Sequence, residues 1–92
     1  MVPKAISRRI VITAYDGISL LDLAGPLEAF GVASTFGGPH GRLATYECSV
    51  VSVRGGPVKT AAGVALVTDS VRTLSRTQID TLIVPGAFWS TM

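Results

Sequence analysis

Few side chains of this sequence are suited to chemistry, and Asp22 is the most informative of them. It lies in Leu21-Asp22-Leu23, one turn into a helix that follows an apolar strand. A carboxylate set among apolar groups holds its proton tightly. It can then donate a hydrogen bond to a thiolate or serve as general acid and base. A plainer reading fits as well. Ser19 and Asp22 stand three apart, as in a capping box, in which the acid reaches back to the serine N–H at the positive end of the helix dipole. Spacing alone leaves both readings open.

The remaining candidates are weaker. Cys48 sits mid-strand, where cysteine packs as a small hydrophobe, whereas a reactive thiolate needs a helix N-terminus or a cationic neighbour. His40 lies in a glycine-rich loop with no second His or Cys at ligand spacing, so no metal site is expected. Asp16 reads as a turn residue before Gly17, and Glu28 as part of the polar helix face. Phe88 and Trp89 follow the Gly86 turn, placed to line a pocket, meet a partner or pack against further chain. Gly55-Gly56 lacks the spacing of a dinucleotide fingerprint, there is no P-loop, and no cofactor is expected.

Three glycine-bearing segments follow the three main apolar runs: Asp16-Gly17, Arg54-Gly55-Gly56 and Pro85-Gly86-Ala87. Open α/β sheets bind ligands beyond the carboxyl ends of their strands, and glycine lets a backbone approach closely. Gly55, Gly86 and Ala87 therefore join Asp22 as candidate ligand-binding residues. Turn punctuation accounts for the same glycines without a ligand.

The elements that must position these residues are readable. Residues 1–8 look like a leader. Residues 9–15 are β-branched and almost continuously apolar, the pattern of a strand covered on both faces. Ser19 to about Thr35 reads as a helix, with Leu20, Leu23, Leu27 and Phe30 on one face and a kink expected at Pro26. A loop spans 37–44. Tyr46 to Val53 is a second strand, residues 58–60 and 64–67 form a small hairpin, and residues 69–74 a helical turn. Asp80 to Pro85 is a third main strand. This order implies an α/β fold: half of a doubly wound, flavodoxin-like parallel sheet with a small β-hairpin insertion. Such sheets carry about five strands or more with helices on both faces. With one long helix available, one sheet face is expected to lie bare, and residues 9–92 to be the N-terminal part of a domain whose other half is absent.

Composition narrows the function classes. Of 92 residues, 48% are hydrophobic and 15% charged, which excludes a disordered chain. The net charge is only +2, and the basic residues are scattered rather than arrayed as a phosphate-binding stripe. One cysteine precludes an internal disulfide and suits a reducing, cytoplasmic compartment. No apolar run reaches the ~18 residues of a membrane span. So little polar surface on so small a body implies either association, for instance as a homo-oligomer, or membership of a larger domain, and the half-built sheet favours the second.

The motifs taken together resemble a known family. Tyr15-Asp16-Gly17, Leu21-Asp22-Leu23-Ala24-Gly25-Pro26-Leu27-Glu28-Ala29-Phe30, Gly55-Gly56-Pro57-Val58 and Asp80-Thr81-Leu82-Ile83-Val84-Pro85-Gly86 are similar to the N-terminal half of a ThiJ/PfpI domain, of class I glutamine amidotransferase-like fold. The likeness covers residues 9–87. It is nearest to AraC-type transcriptional regulators, in which this domain precedes a helix-turn-helix domain. The resemblance thus implies a small-molecule ligand held near Asp22 and Gly86-Ala87, with DNA bound only through an absent C-terminal domain. A second subgroup resembles isonitrile hydratases. There the acid matching Asp22 would work with a cysteine on a strand-to-helix elbow, which this sequence does not contain and which Cys48 does not match. The family often has a second glycine where this chain has Ala87, whose N–H can still donate. The chain alone is therefore expected to be non-catalytic.

Overall fold

The computed structural model describes residues 7–37, 45–74, 76 and 78–87. The β-branched run Ile10-Val11-Ile12 forms the middle of β1 (Ser7–Thr13), and all three residues are fully buried. β1 is flanked on both sides by parallel partners, as its unbroken apolar pattern requires. On one side lies β2 (Thr45–Ser52), with Ile10 opposite Cys48 and Ile12 opposite Val50. On the other lies β5 (Thr81–Ile83), with Val11 opposite Leu82. Ser7 and Arg8, expected in the leader, belong to β1, because Thr45 and Tyr46 extend the ladder to meet them.

Between β1 and β2 runs α1 (Leu20–Gly37), a helix that continues through Pro26. It lays Leu23, Leu27 and Phe30 over Ile10, Ile12 and Ala14, and Phe30 meets Tyr46 edge to face at 4.9 Å between ring centroids. After β2 the chain makes the hairpin β3 (Gly56–Lys59) and β4 (Ala65–Ser70). β4 is longer than its sequence suggested. Asp69 and Ser70, read as the start of a helical turn, stay extended because they pair with Val51 and Ser52. The 3₁₀ turn η1 (Val71–Leu74) follows. The result is a mostly parallel five-stranded sheet in the order β3-β4-β2-β1-β5, with only β3 antiparallel.

The expectation of a bare second face needs correction. Val11 and Val51 lie on the face opposite α1 by alternation, yet they are 0% and 1% exposed. The centre of that face is covered. Its flanks are open, with Val53, Val67, Leu82 and Val84 each more than half exposed. Among the described residues, no helix is long and apolar enough to cross a membrane.

Candidate functional site

In this strand order the connection leaving β1 runs to one side, to β2, while the chain arriving from β4 passes to the other side to make β5. A reversal of this kind marks the carboxyl ends of the two strands as the place where α/β sheets commonly bind ligands. The loop after β1, residues 14–19, and the segment after β5, residues 84–87, meet there.

The β1–α1 loop is clamped from both sides. Toward the hairpin, Gly17 N–H donates to the Lys59 carbonyl at 2.8 Å, Ala61 N–H to the Ile18 carbonyl at 2.9 Å, and Lys59 N–H to Asp16 Oδ1 at 3.0 Å. Asp16 thus does more than close its own turn. Gly17 takes a φ of +90°, which favours glycine. Toward β5, the Tyr15 hydroxyl donates to the Pro85 carbonyl at 2.7 Å and Ser19 N–H to the Gly86 carbonyl at 2.9 Å. Ile18, fully buried, bridges Ala87 in antiparallel fashion. The bond at this bridge runs between Ser19 and Gly86, and the Ala87 N–H takes no part in it.

These bonds decide how Asp22 is held. Ser19 caps α1, its Oγ accepting from Asp22 N–H at 3.4 Å. The other half of a capping box is missing, because Ser19 N–H is already given to Gly86. The Asp22 side chain is exposed and accepts no hydrogen bond among the described residues. One of its carboxylate oxygens lies so close to Gly86 that a Cβ there would sit 3.1 Å away. Pro26, lacking an N–H, also leaves the Asp22 carbonyl without its helical donor. Asp22 and Gly86 are therefore brought together at the start of α1, with Ala87 next in the chain and bridged to Ile18. The apolar enclosure considered for Asp22 is not supplied by the described residues.

Gly55 is placed elsewhere, on the far side of the β1 loop. Its φ is +76°, and a Cβ would come within 2.8 Å of the Ser70 backbone nitrogen. A chain of hydroxyls pins this turn. Gly55 N–H donates to Ser52 Oγ at 3.0 Å, and Thr68 Oγ1 donates to the Gly56 carbonyl at 2.9 Å. With Thr68 so committed, the 2.6 Å contact between the two hydroxyls is donated by Ser52. Gly55 borders an open crevice of about 350 Å³ together with Tyr15, Asp16 and Arg54.

Cys48 is half-buried on the α1 side of β2, and burial pushes its thiol up from the usual value. That is the opposite of what a nucleophile needs. His40, Phe88 and Trp89 lie outside the described residues. Sequence reasoning missed the parts played by Tyr15, Ile18 and Ser19, which depend on contacts across about 70 positions of chain. It also missed Thr60, whose buried hydroxyl has no hydrogen-bond partner among the described residues. Such an orphan costs on the order of 1–3 kcal/mol.

A mostly parallel α/β sheet whose strand order reverses at β1 defines the class of structure. Its likenesses are to proteins about twice as long. The crystal structure of an AraC family transcriptional regulator from Pseudomonas putida shares the fold with a TM-score of 0.74 at 16% identity, over 92% of this chain and 50% of that one. In sequence, the chain is 38% identical over 78 residues to an uncharacterized protein in the cpoL 5′ region of Streptomyces lividans, 85% of this chain and 50% of that protein. The chain thus spans about half the length of each. No family model matches it.

Proposed function

We propose that this chain is part of the ligand-sensing, ThiJ/PfpI-like domain of an AraC-type transcriptional regulator, and that it performs no catalysis alone. The observation that carries this reading is the fold shared with half of the Pseudomonas putida regulator. The meeting of the β1 loop with the segment after β5 adds to it, with a carboxylate that accepts no hydrogen bond among the described residues set against the Gly86 backbone at one end of the sheet. The ligand is a small molecule taken up there by Asp22 and the Ala87 N–H. DNA is contacted through a further C-terminal domain, the working form is a homo-oligomer, and the protein acts in the cytoplasm.

One observation favours a second reading. Asp22 faces Gly86 without a hydrogen-bond partner among the described residues, as an acid working with a cysteine from further chain would. DNA occupancy separates the two. An epitope-tagged copy of the protein, expressed from its own gene, is cross-linked and its bound DNA sequenced. The regulator reading predicts a few discrete promoter sites, retained in Asp22→Asn. Absence of discrete sites, together with Asp22-dependent turnover of an isonitrile, would replace it with the enzyme.

A further inference from the structure

The sheet register brings two arginines to the same level at its carboxyl end. β2 and β4 are adjacent and parallel there, pairing Val51 with Asp69 and Ser52 with Ser70. Arg54 and Arg72 each follow the second pair by two residues. With Val53, Ser70 and Val71 they line an open crevice of about 530 Å³, and Arg54 also lines the adjoining crevice beside Tyr15 and Asp16.

Neither guanidinium is engaged within the described residues. The single ion pair among them joins Arg8 to Asp80 at 2.9 Å, at the amino ends of the strands. Arg9 there donates to Ser49 at 3.3 Å. Two acids lie near Arg54 and Arg72. Asp16 borders the adjoining crevice, with one oxygen accepting from Lys59 N–H. Asp69 neighbours Ser70 but does not line the crevice that holds both arginines. At the amino end, arginine charge is neutralised or bonded. At the carboxyl end, two cations share a concave surface on which no described acid pairs with either.

We propose that Arg54 and Arg72 form a binding site for a small oxyanion, the carboxylate or phosphate group of a metabolite-sized ligand. Guanidinium forks match both groups in two-bond geometry. The Ser70 hydroxyl lines the same crevice. Two cations are too few to track a nucleic-acid backbone, which takes a stripe of them. The site is separate from the Asp22–Gly86 pair and stands whether or not the chain belongs to a regulator.

The test titrates inorganic phosphate, and separately succinate, into the protein at low ionic strength, reading the arginine side-chain N–H signals by NMR. The Arg54 and Arg72 signals are expected to shift and saturate while those of Arg8 and Arg9 stay. The tighter of the two anions identifies the group recognised. Arg54→Gln and Arg72→Gln each weaken binding about tenfold or more, whereas Lys59→Gln leaves it unchanged. Amide spectra confirm that each variant is folded, and Arg72→Lys, which keeps the charge but loses the fork, binds at an intermediate level. Unsaturable shifts spread evenly over all arginines would overturn the proposal. So would tighter binding of duplex DNA than of either anion.

Discussion

Asp22 owes its freedom to its neighbour. Ser19 spends its N–H on Gly86, so the acid three residues on cannot complete the capping box that the spacing offers. The reasoning for Cys48 is also local. Burial raises its thiol, so the folded chain holds that proton more tightly than the unfolded chain. Stability from this group is complete below the unfolded thiol's pKa and is lost as pH climbs through the raised value. Alkylation of Cys48 by iodoacetamide at pH 7 should therefore run slower in the native protein than in urea, and accelerate as the solution is made alkaline. A native rate matching or exceeding the unfolded one would contradict this placement. The type of each of these residues was legible in sequence. Their partners were not, because Gly86 and Ser19 meet across 67 positions of chain.

At the scale of elements, the Gly55–Gly56 turn shows how one position holds two strands. Gly55 is left-handed and backed against the Ser70 backbone, whereas Gly56, at φ +77°, has open space around it. Gly55→Ala should lower unfolding stability by about 2–3 kcal/mol, from strain and overpacking together. Gly56→Ala should cost about 1 kcal/mol, from strain alone. Urea denaturation measures both, and equal losses would contradict the assigned contact. Local patterns exposed most of the elements here. The β-branched runs marked β1 and β2, the leucine spacing marked α1, and the Ala61-Ala62-Gly63 turn marked the hairpin. Register is a long-range property, and this is why the pairing that extends β4 to Ser70 escaped the reading. It is also why the alignment of Arg54 with Arg72 became visible only in the folded sheet.

At the scale of the whole molecule, the sheet is finished at its centre and open at its flanks. Val11 and Val51 are sealed, but Leu82 and Val84 are exposed beside an edge strand of three residues. Exposed apolar side chains next to an unpaired edge promote association. In size-exclusion chromatography with light scattering, the 92-residue chain should run as an oligomer at micromolar concentration. Replacing Leu82 and Val84 with lysine should shift it toward monomer. A clean monomer that unfolds cooperatively would show that these flanks need no cover.

In the proposed function, ligands enter where the sheet reverses, between the loop after β1 and the segment after β5. A screen of uncharged fragments against the isotope-labelled protein, read by amide chemical shifts, tests it most directly. Hits are expected to gather on Tyr15 to Asp22 and Pro85 to Ala87. Hits gathering at the amino ends of the strands, around Arg8, Glu47 and Asp80, would contradict it.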